Sequence, residues 1–178
     1  MPNKVCNNYR SHIGSHEELM AMKARHQVLA VYNYEPTVIQ RGYNNRSLYI
    51  SVGGDYNTSA QDPLVKKTEG RERVVIGEKA VTDFMKQKFV GGKGFDLYHL
   101  WKAVSEQTRW QDPENDIVIS PGPIAGITQY PGAGKSLVCC ISPTTHLPVD
   151  SNVGGYFGPY LKFAGFDALE LQGQADQE

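Results

Sequence analysis

Two short stretches of this sequence have residue types that suit the binding of a charged small molecule. The first runs from Asn152 to Asp167 and contains four glycines. Its Gly154-Gly155 pair can take positive φ and bring the backbone close to another group. Backbone amides of a glycine pair that opens a helix suit an anion such as a phosphate. The stretch is also typical of a tight turn before a short core helix, and both interpretations stay open.

The second stretch, Gly134-Lys135-Ser136, looks like the end of a phosphate-binding P-loop. That motif needs a glycine where the chain has Gln129, and it needs a helix after the lysine. The following segment, 136–141 (SLVCCI), is strand-like, so we exclude a nucleoside triphosphatase. Gly91 to Gly94 joins helix to helix rather than strand to helix, so it fails the dinucleotide-binding fingerprint as well.

Histidines and cysteines give no convincing metal site. His12 and His16 are four residues apart and His26 follows, but no carboxylate or cysteine completes a set at helix spacing. We expect solvated or partner-facing histidines. Cys139 and Cys140 are adjacent, so in a strand they point to opposite faces and do not easily chelate one metal. Buried, inert thiols are the expectation.

Composition sets the broad class of the protein. The chain has 178 residues, 40% of them hydrophobic, and a formal net charge of −1. These values fit one domain and give no case for nucleic acid or a membrane surface. No apolar run approaches the length of a membrane-spanning helix, and the first residues lack an apolar signal region. We therefore expect a cytoplasmic protein.

Apolar periodicity predicts an α+β fold that is mostly β-sheet, with a few short helices that position these residues. On the helix after Gly94, we expect Leu97, Leu100, Trp101 and Val104 to point inward and His99 to be structural. A capping box at 15–18 opens the first predicted helix. The predicted helices are 16–27, 79–89, 95–105 and 157–164, and the predicted strands are 47–52, 74–76, 116–120, 136–141 and 168–172.

Several motifs, in order, resemble the N-terminal domain of the tungsten-dependent aldehyde ferredoxin oxidoreductases. They are GGKGFDLYHLWKAV, DPENDIVISPGPIAG, the step Ser142-Pro143 and NVGGYFGPYLKFAGFDALELQGQA. The resemblance implies that residues 43–178 are part of a metallopterin-binding base domain, namely the β-sheet half of a sandwich. Residues 1–42 have no counterpart in that family and are expected to form an added arm with a helix.

The resemblance also implies a cofactor site. Asn152 matches a position near the ion bound to the pterin phosphates, and Gly154 matches a position that offers its backbone. Gly155 belongs to the same stretch. Lys135 stands where the family usually has an arginine beside the pterin, so a point charge replaces a bidentate fork. The implied cofactor is a bis-metallopterin with tungsten or molybdenum, with magnesium at its phosphates. Packing on the sheet is the expectation for Tyr156, Phe157, Phe163 and Phe166.

Important parts of the family's machinery lie outside this sequence. The four cysteines that hold the 4Fe-4S cluster have no counterpart here, nor do the acids and histidine near the metal. The resemblance therefore implies a part or small subunit that is inactive alone and pairs with a larger catalytic subunit, with a ferredoxin-type carrier served indirectly. Within that interpretation, the enzyme oxidises aldehydes or is similar to a low-potential aryl-coenzyme A reductase. The alternative is a non-catalytic interaction module or a truncated relic.

Overall fold

The computed structural model describes residues 28–35, 37–57, 65–66, 68–70 and 74–174. The helix expected at 16–27, its capping box, and His12, His16 and His26 lie outside the described residues. The strands are β1 (Ala30–Tyr32), β2 (Arg46–Val52), β3 (Val65–Lys66), β4 (Thr68–Gly70), β5 (Val74–Ala80), β6 (Ile117–Pro121), β7 (Ser136–Ile141), β8 (Pro148–Val153) and β9 (Ala168–Gly173). The helices are α1 (Asp83–Phe89), α2 (Lys93–Ala103) and α3 (Phe157–Phe163).

One mixed sheet of seven strands organises the described residues, in the order β3-β5-β2-β9-β6-β7-β8. The central pair β2 and β9 is parallel, and the other neighbours are antiparallel. A separate pair, β1 with β4, forms a two-stranded sheet. The α+β, mostly β prediction is confirmed, and each strand predicted from alternation is present within one or two residues, apart from 74–76, which is part of the longer β5.

Helices α1 and α2 cover one face of the sheet. Val81, Met85 and Phe95 form one buried cluster, and Leu100 of α2 packs with Val118 of β6 and Cys139 of β7 in another. Much of this covered face is polar, because buried serines, a glutamate and a glutamine of the central strands point toward it. These residues are Ser47, Ser51, Ser120, Glu170 and Gln172.

The opposite face of the sheet is apolar and partly exposed, and we call it the open face. Strand register places every second residue of the central strands there, because successive side chains point to opposite faces. Ile117 on this face is 41% exposed, and its neighbours are only partly buried. The open face is formed by Leu48, Ile50, Val52, Ile76, Ile117, Ile119, Val138, Leu169 and Leu171. One half of a sandwich has this distribution.

Two sequence predictions about the elements are wrong, and one strand was not predicted. The helix predicted for 79–89 begins only at Asp83, since β5 stays paired with β2 through Ala80 and the Thr82 side chain caps the helix. Strand β8, which sequence alternation missed, is an almost fully exposed edge strand. Leu97 and Trp101 point outward, with 39% and 83% exposure, because α2 buries Phe95, Asp96, His99 and Leu100.

Candidate functional site

Lys135, Asn152, Gly154 and Gly155 lie together at one edge of the sheet. Strands β7 and β8 are antiparallel, and Ser136 lies opposite Val153. Lys135 immediately precedes that pair and Gly154 immediately follows it, so the two are neighbours across the strand ends. Asn152 lies opposite Leu137, so these two side chains share the covered face of the sheet. All four predicted residues are exposed.

Two glycines let the loop before β7 meet the turn after β8. Gly155 has a φ of +96°, a conformation that other residues rarely adopt. A Cβ added to Gly134 would lie 2.6 Å from the carbonyl oxygen of Gly155, so the two backbones are in close contact. This contact fixes the position of Lys135, the next residue, relative to the glycine pair.

Gly154 leaves its backbone open. No described heavy atom outside its chain neighbours lies within 4 Å of the place where its Cβ would be. The pair does not open a helix directly, however, because α3 begins at Phe157 with Tyr156 as its N-cap. The expectation that the backbone amides of the glycine pair open a helix is therefore wrong. These glycines form an exposed turn ahead of the helix.

A cavity of about 330 Å³ adjoins this edge. Lys135 and Leu137 line one side of it, and the start of α2 lines another. Asn152 is the cross-strand neighbour of Leu137, which places its strand position beside the cavity. The walls are mainly glycine and apolar side chains with two lysines. They are Val90, Gly91, Gly92, Lys93, Ser120, Gly122, Pro123, Ile124, Ala125, Gly132, Ala133, Lys135 and Leu137.

The two lysines of the cavity differ in their surroundings. Lys93 Nζ lies 2.7 Å from Asp150 Oδ1, an ion pair that joins α2 to the edge strand β8. The hydrogen bond and charge of Asp150 raise the pKa of Lys93. Lys135 is exposed, and none of the ion pairs found among the described residues involves it. Lys135 therefore has the free cationic head that an anionic ligand needs.

A buried aspartate lies directly behind the cavity wall. Asp96, in the first turn of α2, is fully buried, and its Oδ1 is hydrogen-bonded to Ser120 Oγ. Ser120 Oγ also donates to the Gly92 carbonyl at 2.8 Å, and both Ser120 and Gly92 line the cavity. Sequence analysis missed this pair, because an acid in a first helical turn ordinarily only stabilises the helix dipole.

Aromatic side chains surround the glycine turn on the solvent side. Tyr156 is 77% exposed, and Phe157 and Phe163 are about half exposed, so the expectation that they pack on the sheet is wrong. Phe166 alone among the four is buried, against the Arg46 guanidinium. The exposed rings offer apolar surface for a further protein layer or a flat ligand.

The sequence matches the family model "Aldehyde ferredoxin oxidoreductase, N-terminal domain" over residues 72–178, more than half of the chain. The chain belongs to the aldehyde ferredoxin oxidoreductase family. The match contains all four candidate site residues and the cavity. The predicted domain start at residue 43 lies outside the match and stays a prediction.

Relatives in this family are large enzymes. The chain is 38% identical over 101 residues to a tungsten-containing aldehyde ferredoxin oxidoreductase of Pyrococcus abyssi, covering 57% of the chain and 16% of that enzyme. It is 36% identical over 110 residues to the enzyme of the same name from Thermococcus kodakarensis, covering 60% and 18%. A Pyrococcus furiosus protein, an aliphatic sulfonate oxidoreductase WOR-like subunit, is 35% identical over 106 residues, covering 58% and 16%.

A solved structure supports the fold. The active-site complex BamBC of benzoyl coenzyme A reductase superposes with a TM-score of 0.61 at 24% identity, covering 76% of this chain and 18% of that one. At this identity the likeness shows the fold alone. The chain spans less than a fifth of the length of the relatives that it matches.

A second polar cluster of this family member looks like a hydrolase triad. Ser47 Oγ lies 3.1 Å from His99 Nε2, His99 Nδ1 lies 3.1 Å from Glu170 Oε1, and Lys79 Nζ lies 2.6 Å from Glu170 Oε2. Burial opposes the charge of Glu170, but His99 and Lys79 outweigh it and lower its pKa. Burial and the adjacent Glu170 carboxylate raise the pKa of Asp116. Since Ser47 is fully buried, no substrate reaches it, and the cluster joins α2 to the sheet.

Thiols and metal ligands add nothing to the site. Cys139 is buried, and burial raises its pKa to about 11, so the expectation of a buried thiol is confirmed there, whereas Cys140 is only partly buried. Within the described residues, no three histidine, cysteine or acidic side chains are grouped to hold a metal ion. None of the described helices has the length and apolar character that crossing a membrane requires.

Proposed function

We propose that this chain is the metallopterin-binding N-terminal part, or small subunit, of a tungsten or molybdenum oxidoreductase. The observation that carries the proposal is the edge of β7 and β8, where an exposed lysine lines a cavity and a side-chain amide and an open glycine backbone lie on the neighbouring strand end. Family membership supports the same assignment, because relatives in this family are named as tungsten-containing enzymes.

The residues present fit the chemistry of a pterin cofactor with an anionic tail. A flat, largely apolar ring system suits walls of glycine, proline and aliphatic side chains. A phosphate suits a cationic side chain together with amide donors. Lys135 and the Gly154-Gly155 backbone would supply these at the cavity edge, and a bound pterin would bring the redox-active metal that exchanges electrons with the substrate.

Each residue then has a distinct binding role. Lys135 neutralises part of the charge of the anionic tail as a point charge, without the planar fork of an arginine. Asn152 both donates and accepts through its amide, which suits a phosphate and a magnesium ion bound to it. Gly154 lets the tail approach the main chain, since a side chain there would occupy the open space.

The remaining machinery would come from a larger partner chain. Relatives in this family exceed the matched region more than fivefold in length, and among the described residues the apolar side chains of the open face are partly exposed. In this proposal the partner carries the second sheet, the 4Fe-4S cluster and the acids near the metal, and passes electrons to a ferredoxin-type carrier. Residues 1–42 form an added arm, and the assembled enzyme works in the cytoplasm. The chain alone is inactive.

The substrate class follows the relatives. Their names favour an aldehyde, and a thioester reductase similar to aryl-coenzyme A reductases is the second candidate. A non-catalytic interaction module would share the open face but would have no use for a free lysine beside open glycines.

The test is to isolate the tagged chain from its native host and to analyse the co-purifying complex. The proposal predicts a larger subunit with a four-cysteine motif, together with tungsten or molybdenum, iron and a pterin. A stable complex that contains neither pterin nor tungsten or molybdenum would leave the interaction module as the function.

A further inference from the structure

Ser120 connects the Asp96 carboxyl group to the Gly92 carbonyl. Ser120 Oγ has one proton and contacts two acceptors, the Gly92 carbonyl oxygen and Asp96 Oδ1. Because a hydroxyl has one proton to donate, Ser120 donates to only one of the two at a time. While it donates to the Gly92 carbonyl, its contact with Asp96 is satisfied by a protonated carboxyl group that donates to Ser120 Oγ.

The surroundings of Asp96 favour the same state. Its side chain is fully buried, and its Oδ2 has no hydrogen-bond partner among the described residues. Burial raises the pKa of Asp96 to about 8, with a smaller contribution from the Asp150 carboxylate and an opposing one from Ser120. The folded chain therefore keeps a proton on Asp96 that the unfolded chain loses above about pH 3.9. The contribution of this proton to the free energy of unfolding is lost as the pH rises toward 8.

The charges that face this group come from three elements. Lys93 lies on α2 itself and is paired with Asp150 on β8. Cys139 on β7 is neutral, since burial raises its pKa to about 11. Lys135 precedes β7 and lines the same cavity as Ser120. A charge on Asp96 would thus lie one residue behind the cavity wall, opposite the exposed lysine.

We propose that Asp96 is a positioning residue, acting through Ser120, whose bound proton is required for tight binding of an anionic phosphate group in the cavity. When Asp96 loses this proton, the Ser120 hydroxyl turns from the Gly92 carbonyl toward the carboxylate. The new negative charge repels the anion across Ser120. The inference rests on the proposed function, because it concerns the same cavity.

Linkage makes the effect reciprocal. An anion in the cavity raises the pKa of Asp96, and deprotonation of Asp96 lowers the affinity for the anion by the same factor. Since burial raises the pKa of Asp96 to about 8, affinity is full below about pH 7 and falls as the pH rises through 8. The predicted loss is about tenfold by pH 9.5.

The test uses the full chain with inorganic pyrophosphate as the probe. The cavity opens on the covered side of the sheet, so self-association through the open face leaves it accessible. Dissociation constants are measured from pH 6.5 to pH 9.5 for wild type and for Asp96→Asn, which keeps a donor to Ser120 but does not titrate. The ratio of the two constants cancels the titration of pyrophosphate itself.

Two further variants control for structure. Asp116→Asn alters another buried aspartate with a raised pKa that does not line the cavity, and it should retain the wild-type pH profile. Asp96→Ala lacks the donor to Ser120, and it should bind weakly at every pH. A higher affinity for pyrophosphate in Asp96→Asn than in Asp96→Ala then shows that the donated hydrogen bond matters, because a general loss of folding would weaken binding in both variants.

Three results are possible, and each of them supports or overturns the proposal. A ratio of wild-type to Asp96→Asn constants near one below pH 7 that rises about tenfold by pH 9.5 supports the proposal. A ratio that stays constant while pyrophosphate binds normally overturns the proton linkage and leaves the proposed function intact. Absence of pyrophosphate binding at every pH, in both proteins, overturns the linkage together with the anion site.

Discussion

Lys79 and Glu170 form an ion pair that is buried from solvent, with Nζ 2.6 Å from Oε2. The two residues come from β5 and β9, on either side of β2, and the Lys79 ammonium lies 4.4 Å from the centre of the Tyr49 ring between them. His99 of α2 contacts the other carboxylate oxygen of Glu170. One carboxylate therefore ties three elements of the covered face together.

Removal of this carboxylate should be strongly destabilising. Glu170→Ala leaves Lys79 as an unpaired buried charge, a change that typically costs about 3–5 kcal/mol. Glu170→Gln keeps an acceptor and should cost less. Hydrogen exchange of the α2 and β9 amides, measured in the assembly in which the chain is isolated, should show the ranking. Glu106→Ala, at an exposed position, is the control, and equal protection in all variants would refute the structural role.

The open face predicts self-association of the chain when it is expressed alone. Apolar side chains across five strands lie partly exposed there, and such a surface favours dimers or aggregates. Ile119→Lys places a charge near its centre and should shift the chain toward monomer in sedimentation velocity. Trp101→Lys removes a more exposed side chain from the opposite side and should leave association unchanged. A wild-type chain that is a clean, cooperatively unfolding monomer would contradict this prediction.

Substitutions in the glycine turn distinguish an effect on the fold from an effect on cofactor binding. Gly154→Val introduces a side chain into open space, so the fold should survive while the anionic tail of the cofactor is blocked. Gly155→Val forces a β-branched residue to a φ of +96° and should disturb the turn itself. Circular dichroism and pterin content of the complex measure the two effects. Full pterin content in folded Gly154→Val would exclude close approach at this glycine.

The strands were predictable because their alternation is local. Segments 47–52, 136–141 and 168–172 alternate or are strongly β-branched, and each is a strand. The start of helix α1 was misplaced because Glu78 to Ala80 pair with β2, 30 to 34 residues earlier in the chain, and this pairing overrides their helical preference. Strand β8 was missed because an exposed edge strand needs no apolar alternation.

The candidate site was predictable only through family motifs. Gly134, Lys135 and Gly154 belong to recognisable motifs of the sequence, although the motif of Gly134 resembles the end of a P-loop. The meeting of Asp96 with Ser120, and of His99 with Glu170, joins residues 24 and 71 positions apart. No periodicity in the sequence predicts such pairs. Polar residues of a helix are ordinarily predicted to face solvent, even where that face of the helix is buried.

In the proposed function, Lys135 and Asn152 hold the anionic tail of a metallopterin. Asn152→Ala removes a hydrogen bond worth about 0.5–1.5 kcal/mol, or up to about 3 kcal/mol with a charged partner, so partial loss of the cofactor is expected. Lys135→Ala should weaken retention in a salt-sensitive way, and Lys135→Arg should restore it. Lys88→Ala, at an exposed lysine outside the cavity, is the matched control.

The most direct measurement is the tungsten or molybdenum and pterin content of the purified complex that carries the Lys135→Ala and Asn152→Ala double variant. Both contents are compared with wild type and Lys88→Ala at low and high salt. We expect normal assembly with the partner chain and a loss of metal and pterin together relative to wild type, larger at low salt, where the charge of Lys135 contributes most to retention. Full metal and pterin content in a normally assembled double variant would contradict it, and the glycine stretch would then be a turn before a short helix.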